Sequence, residues 1–233
     1  MEFYFMKENI LSQLRRGFVS SCQPVDGSPM DTPEIIAAMA KASEDGGAAG
    51  LRIEGIANLK AVVKVVSIPI IGIVKRDLTD FPIRITPYLT DVVDLAKAGA
   101  SIIAFDGTDR ARPDNIKNII DTIHHHGCIA MADCSTVEEA LACSELGADI
   151  IGTTLSGYCG EYTPIEPDFE FVETISKMDM FVMAEGRYNS PILAEKAILS
   201  GADCVTIGSA ITRIEHICDW FNRSVNNARL LKV

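Results

Sequence analysis

The sequence lacks the patterns that mark membrane proteins, disulfide-bonded proteins and dinucleotide-binding proteins. No apolar run is long enough to cross a bilayer, and residues 1–17 lack the apolar core of a signal peptide. The seven cysteines include no Cys-x-x-Cys pair, which indicates reduced, structural thiols. Gly-x-Gly-x-x-Gly and P-loop patterns are also missing. We therefore expect a cytoplasmic protein without a membrane partner, a nicotinamide or a flavin.

Positive charge is also scarce, with 21 Lys and Arg against 32 Asp and Glu. Nucleic acids and anionic membrane surfaces select for basic patches, so we expect no nucleic-acid partner. The length fits one domain of a barrel fold, and no low-complexity tract or linker interrupts the chain.

Charged residues stand where several apolar, strand-like runs end. The run from Pro69 to Val74 stops at Lys75, and similar breaks occur at Glu54, Asp106, Asp133 and Glu185. Charges at the carboxyl ends of several buried strands are typical of a (β/α)8 barrel enzyme, whose site lies on that rim. We predict strands near 18–24, 49–54, 69–75, 101–106, 128–133, 149–154, 181–185 and 204–208.

A Gly-Ala repeat supports the barrel. Glycines at 47, 99, 147 and 201 each precede an alanine, close a helical pattern and open an apolar strand. Their spacing of roughly fifty residues is about the length of two βα units, so four copies give eight units. Gly-Ala is also common before buried strands in other α/β proteins, and the even spacing favours the barrel.

The chain divides into an N-terminal extension or helix (1–17) and a barrel domain (18–233). Pro33 and Pro191 each follow a polar capping residue and predict helix starts. The segment 76–90 is long for a βα loop and is interpreted as a candidate lid. Residues 214–231 predict a final helix.

Two tempting sites are discounted. The tract His124–His126 precedes Gly127 at a predicted helix end, where histidines interact favourably with the helix dipole, so we expect no metal site. The cysteines beside strands read as small core residues, since no histidine lies on the predicted rim to activate them; they are Cys22, Cys128, Cys134 and Cys204.

An anion site is predicted after strands seven and eight, where barrels commonly bind phosphate beside a short extra helix. Gly186, Gly208 and Ser209 allow backbone N–H groups to approach an anion closely. Arg213 and Arg187 would add guanidinium donors. Taken alone, each of these charged residues fits a solvated position on the rim as well as it fits an anion site. The prediction of an anion site rests on their concentration on one rim.

Six segments together closely resemble the bacterial N-acylmannosamine-6-phosphate 2-epimerases. They are Ser21–Pro24, Arg52–Gly55, Gly72–Asp77, Asp106–Arg110, Ala184–Arg187 and Gly208–Arg213. The resemblance runs in order from about Phe18 to Trp220. It implies interconversion of N-acetylmannosamine 6-phosphate and N-acetylglucosamine 6-phosphate, a step of sialic acid degradation, on a single-domain barrel with a short phosphate-binding helix after strand 8.

The family's functional residues carry over onto matching positions. The resemblance implies that Lys75 and Glu185 are catalytic, and that substrate is bound by Gln23, Arg52, Asp133 and Arg213, with Asp106 as the alternative to Asp133.

The chemistry of C2 epimerisation fits these residues and requires no cofactor. The C1 carbonyl of the open-chain sugar acidifies the C2 proton, so a base and a proton donor suffice. Lys75 would need its pKa lowered by burial and by a neighbouring cation, for which Arg52 or Arg76 is available. Glu185 would need a raised pKa to act as a proton donor. One or two residues could serve the two faces of C2.

Two other functions stay open at this level. A lysine at a strand end also suits a Schiff-base phosphosugar aldolase or lyase. A non-catalytic phosphosugar-binding barrel is the second, because fold does not establish function. A homodimer is expected.

Overall fold

Eight parallel strands close into a barrel in which strand order follows the chain. The computed structural model describes residues 2–230. The strands are β1 (Phe18–Cys22), β2 (Gly50–Glu54), β3 (Ile70–Ile73), β4 (Ile102–Asp106), β5 (Ile129–Asp133), β6 (Ile150–Gly152), β7 (Phe181–Glu185) and β8 (Cys204–Ile207). β8 pairs with β1, with Phe18 opposite Val205. The predicted (β/α)8 barrel is confirmed, although β1, β3 and β6 end two residues and β8 one residue earlier than predicted.

The helices alternate with the strands and surround the barrel. They are α1 (Glu2–Leu14), α2 (Pro33–Asp45), α3 (Ile56–Val62), α4 (Leu89–Ala98), α5 (Ile116–His125), α6 (Val137–Glu145), α7 (Phe169–Ile175), α8 (Pro191–Leu199), α9 (Ser209–Thr212) and α10 (Ile214–Leu230). The predicted starts at Pro33 and Pro191 are confirmed, with Thr32 and Ser190 as N-caps. The final helix is predicted to reach Leu231, which lies outside the described residues. None of the described helices is long and apolar enough to span a membrane.

Apolar side chains fill the barrel interior, and α1 closes its N-terminal end. Leu11 and Leu14 of α1 are buried against interior residues such as Val19 and Ile102. Lys7 of α1 also binds Asp149 at 2.6 Å, just before β6. The interior is therefore sealed below the mouth formed by the carboxyl ends of the strands. The division of the chain at residue 18 stays a prediction.

The four glycines of the Gly-Ala repeat all adopt left-handed backbone conformations. Their φ angles lie between 92° and 103°, and they follow α2, α4, α6 and α8. A side chain at these positions is strained because L-residues rarely adopt such φ values. At Gly201 an added Cβ would also meet the Ser176 Cβ at 2.8 Å. The repeat therefore marks every second helix end, as predicted.

The segment after β3 is packed into the barrel mouth. Lys75 forms an antiparallel bridge with Ile85, and both Ile83 and Ile85 are buried. The Thr86 hydroxyl donates to the Ala104 carbonyl at 2.6 Å. The lid interpretation of 76–90 is therefore wrong for the base of this segment, because its backbone and apolar side chains are already part of the core.

Candidate active site

A polar cavity of about 230 Å³ opens at the carboxyl ends of the strands. Residues that follow or end five of the strands line it. Among the predicted site residues, the cavity is lined by Gln23, Arg52, Lys75, Glu185, Gly186, Arg187, Gly208, Ser209 and Arg213. Asp133 is absent from the lining.

Arg52 lies at the floor of the cavity and joins two carboxylates. Its side chain extends from β2 into the barrel and is 2% exposed. The two Nη atoms donate to the two Asp133 carboxylate oxygens at 3.1 and 2.6 Å, and Nη1 also donates to Glu185 at 3.1 Å. This bidentate pairing fixes the plane of the guanidinium group, because both of its Nη atoms donate to the same carboxylate.

Asp133 lies beneath the cavity floor. It ends β5, is fully buried, and also accepts a hydrogen bond from the Thr154 hydroxyl at 2.5 Å. With both oxygens engaged and no cavity surface, it supports Arg52 rather than reaching a ligand. The alternative carboxylate, Asp106, is bound by Arg110 at 2.7 Å and Thr108 at 2.6 Å and does not line the cavity either.

Lys75 has a lowered pKa and lines the cavity two residues beyond β3. Burial is the largest cause, because it penalises the charged ammonium, and the nearby Arg52 and Arg213 lower the pKa further. The prediction that Arg76 could be the cation that lowers the pKa of Lys75 is wrong. The Arg76 Nε donates to both Asp91 oxygens at 3.0 Å, and the cations that act most strongly on the pKa of Lys75 are Arg52 and Arg213.

Glu185 has a raised pKa and faces the cavity from the end of β7. Burial is again the main cause, Arg52 opposes it, and the negative charge of Asp133 adds to the rise. Lys75 and Glu185 therefore have pKa values displaced towards each other within one cavity. Such a pair suits proton transfer near neutral pH.

One wall of the cavity is formed by residues that follow β7 and β8, and it carries backbone N–H donors beside two arginines. Gly186 and Arg187 have φ angles of 108° and 65°, and Gly208 precedes the short helix α9. No hydrogen bond within residues 2–230 uses the backbone N–H of Gly186, Gly208 or Ser209. Arg213 lines the same wall and is oriented by a 2.9 Å bond from its Nε to the Gln23 carbonyl. The wall thus offers cationic and N–H donors to an anion.

Arg187 is tied to the loop between β6 and α7. Its guanidinium donates to the Ser156 carbonyl at 2.6 Å and the Glu166 carbonyl at 2.8 Å, and it lies 5.2 Å from the centre of the Tyr158 ring. A non-glycine residue at positive φ is costly and persists where surrounding contacts hold it. Through these contacts, Arg187 holds the loop between β6 and α7 against the end of β7 at one side of the cavity mouth.

Among the buried polar atoms of the cavity lining, the Arg52 Nε and the Tyr188 hydroxyl have no hydrogen-bond partner within the described residues. Buried polar groups are normally paired, so a polar ligand or water would satisfy them. The sequence reading does not select Tyr188 or Thr206 as site residues. Thr206 could have been found from strand pairing, because it lies opposite Glu185 in the neighbouring strand. No comparable feature of the sequence points to Tyr188.

The discounted residues lie away from the cavity or in the core. The Nε2 atom of His124 pairs with Asp149 at 2.8 Å, at the N-terminal end of the strands. Within residues 2–230, no group of three or more His, Cys, Asp or Glu side chains could hold a metal ion. The strand-side cysteines are buried, which agrees with the predicted core role; they are Cys22, Cys128, Cys134 and Cys204.

Comparisons with known proteins identify a family. A family model described as "Putative N-acetylmannosamine-6-phosphate epimerase" matches residues 36–227. A relative from Haemophilus influenzae, named "Putative N-acetylmannosamine-6-phosphate 2-epimerase", is 60% identical over 95% of this chain and 97% of its own length.

Solved structures agree with this match. The N-acetylmannosamine-6-phosphate 2-epimerase from Clostridium perfringens has a TM-score of 0.89 and 38% identity, over 91% of this chain and 95% of that one. Thiamine phosphate pyrophosphorylase from Pyrococcus furiosus has a TM-score of 0.61 at 17% identity, over 88% of this chain and 90% of that one, and shows a shared fold alone.

Proposed function

The chain belongs to the N-acetylmannosamine-6-phosphate epimerase family, and from that premise we propose that its cavity interconverts N-acetylmannosamine 6-phosphate and N-acetylglucosamine 6-phosphate. The reaction removes the C2 proton of the open-chain sugar and returns it to the opposite face. The observation that carries the proposal is the pairing of Lys75 and Glu185 in one cavity, with pKa values displaced in opposite directions.

Lys75 is the base. Its neutral amine takes the C2 proton, and the lowered pKa raises the fraction of free amine at neutral pH. Arg52 and Arg213, the cations that lower this pKa, also stabilise the negative charge that develops on the sugar as the proton leaves. Since Lys75 is the amine in the cavity lining, we propose that it serves both faces of C2.

Glu185 handles the C1 oxygen. Its raised pKa favours the protonated carboxyl, which donates to O1 as the enolate forms and takes that proton back when the carbonyl is restored. Arg52 is bound to Glu185 at 3.1 Å and therefore places the carboxyl at the cavity floor. Asp133 is a positioning residue, because its two hydrogen bonds orient Arg52.

The 6-phosphate is held by the wall of N–H donors. Support comes from the unused N–H groups of Gly186, Gly208 and Ser209 beside the Arg213 guanidinium. Gln23 lines the same region, and its carbonyl fixes Arg213. Arg187 contributes by fastening the neighbouring loop. Anchoring a remote phosphate orients C2 against Lys75 and so contributes to turnover as well as to affinity.

The activity is tested by proton NMR of N-acetylmannosamine 6-phosphate with the purified protein in deuterated water. The wild-type protein is expected to form the epimer and to place deuterium at C2, while C3 to C6 keep their protons. Lys75→Ala should lose at least about 10²-fold in turnover, the usual contribution of a proton-transfer group, with phosphosugar affinity within about tenfold.

Lys64→Ala is the matched control, because Lys64 is exposed and lies outside the cavity. Conversion by Lys75→Ala at the wild-type rate would remove Lys75 as the base. Borohydride trapping of a covalent substrate adduct would instead indicate Schiff-base chemistry.

A homodimer is also proposed, supported by the uncovered apolar stripe of α10. Ile214, Phe221 and Val225 recur on one face of this helix and are 47%, 71% and 52% exposed. Exposed apolar stripes of this kind mark interaction surfaces, and symmetric dimers are the commonest assembly. Light scattering should give twice the chain mass of 25.2 kDa, and Phe221→Glu should give the monomer. The free thiols support the proposed cytoplasmic location.

A further inference from the structure

A second, smaller polar cavity adjoins Lys75, and we call it the annex. Lys75 and Gln23 line both the annex and the main cavity. The rest of the annex lining includes the acidic and amide side chains of Glu54, Asp31 and Asn58, together with apolar side chains such as Ile36. Glu54, Asp31 and Asn58 have no part in the mechanism described above.

Glu54 lies at the inner end of the annex. It is the last residue of β2 and is partly buried, and its Oε1 accepts from the backbone N–H of Lys75 at 3.4 Å. Asn58 donates from its side-chain amide to the Glu54 carbonyl at 2.8 Å, which fixes the end of the strand. Burial raises the pKa of Glu54, and the Lys75 charge opposes that rise.

The outer end of the annex reaches solvent through exposed carboxylates. Asp26 and Asp31 both line it and are exposed. The charged groups acting on Lys75 are therefore arranged in two sets. Arg52 and Arg213 lower its pKa, whereas Glu54 and Asp26 raise it.

We propose that Glu54 exchanges the proton of Lys75 with solvent through the annex while a sugar fills the main cavity. This inference rests on the proposed function. The Lys75 ammonium and the Glu54 carboxylate both line the annex without a direct ion pair, so a water between them carries the proton. Once Lys75 has taken the C2 proton, one N–H bond of the ammonium breaks, an O–H bond forms on this water, and the water passes one of its own protons to the Glu54 carboxylate. Glu54 then releases the proton to water at the Asp26 and Asp31 end, and the reverse transfer supplies a solvent proton. Glu54 does not touch the sugar. It is a positioning residue that acts through Lys75, because it exchanges the proton that Lys75 carries.

The test follows deuterium from the substrate in ordinary water. N-acetylmannosamine 6-phosphate deuterated at C2 is converted under initial-rate conditions, and the fraction of epimer that keeps deuterium is measured. Because an ammonium carries three equivalent hydrons, return without exchange delivers at most about one third of the deuterium. We expect close to none in the wild-type protein and a rise of threefold or more in Glu54→Gln.

Glu34→Gln is the matched control, since Glu34 is an exposed carboxylate on the neighbouring helix α2 and should match the wild-type protein. Should Glu54→Gln fail to fold, Asn58→Leu tests the same route, because an apolar side chain in the annex excludes water while Glu54 stays. A structural role for Glu54 would change rate or stability and leave the retained fraction unmoved.

The outcomes separate the two proposals. No conversion by the wild-type protein refutes the proposed function. Conversion with a retained fraction that is unchanged in the folded variant, or already at the limit in the wild-type protein, overturns the role of Glu54.

Discussion

Replacing Asp133 with asparagine would remove the charge that neutralises Arg52 inside the barrel. Both side chains are at most 2% exposed, and the pair is joined by bonds of 3.1 and 2.6 Å. Removing one partner from a buried ion pair costs about 3–5 kcal/mol, because it leaves the other charge desolvated. Glu185, at 3.1 Å from Arg52, still offers partial compensation, so we expect the lower end of that range.

A loss of about 3 kcal/mol corresponds to a fall in Tm of roughly 6–12 °C for a domain of this size. Urea unfolding at neutral pH gives the free energy directly. Asp77→Asn is the control: Asp77 pairs with Arg84 at the surface and is 84% exposed, and surface pairs contribute about 0–1 kcal/mol.

The same substitution has a functional signature. The Asp133 charge raises the pKa of Glu185, so its removal should lower that pKa and reduce the fraction of protonated Glu185. The ratio of kcat/KM in the variant to that in the wild-type protein should therefore fall as the pH rises. The double variant Arg52→Met with Asp133→Leu should recover part of the lost stability while staying inactive. It removes both members of the ion pair, and Glu185, which loses its Arg52 partner, can take up a proton because its pKa is raised by burial. A loss below about 1 kcal/mol in Asp133→Asn would refute this account of the ion pair.

Three other expectations follow from the same structure. Lys75→Met should raise the free energy of unfolding at neutral pH, since burial and two arginines disfavour its charge, and denaturant titration checks the sign. Arg213→Gln should raise the pKa of Lys75, so the ratio of its kcat/KM to that of the wild-type protein should fall as the pH falls and more of the base is protonated. The same variant should show a weaker preference for the phosphorylated over the unphosphorylated sugar. Gly201→Ala should cost about 1–3 kcal/mol at a φ of 101°, whereas Gly160→Ala, with no atom within 4 Å, should cost little.

The barrel was predictable because its signal is repeated. Five of the eight strands are apolar runs that break into a charge, as at Lys75 and Glu185, and the Gly-Ala pairs mark every second helix end. Repetition of a local pattern around a closed sheet leaves few alternative topologies. Strand ends were less predictable, since Val74 and Lys75 continue an extended pattern but pair with the following segment instead of β4.

The depth of each side chain within the site could not be predicted. Asp133 and Glu185 both end strands in the sequence, yet only Glu185 reaches the cavity, because Arg52 covers Asp133. Arg76 adjoins Lys75 in sequence, but consecutive residues of extended backbone point to opposite sides, and Arg76 binds Asp91. Arg213 is distant in sequence and acts on Lys75 because β8 closes the barrel beside β1.

The seal formed by α1 beneath the barrel has a kinetic consequence. With Leu11 and Leu14 closing the lower end, the cavity is a blind pit, and both epimers enter and leave through one mouth. Each epimer therefore competes with the other for the free enzyme, so product inhibition is competitive in either direction. The ratio of forward to reverse kcat/KM must also equal the equilibrium constant of the two sugars. A substitution at the mouth that tightens one epimer cannot bias the final mixture and changes only the speed with which it is reached.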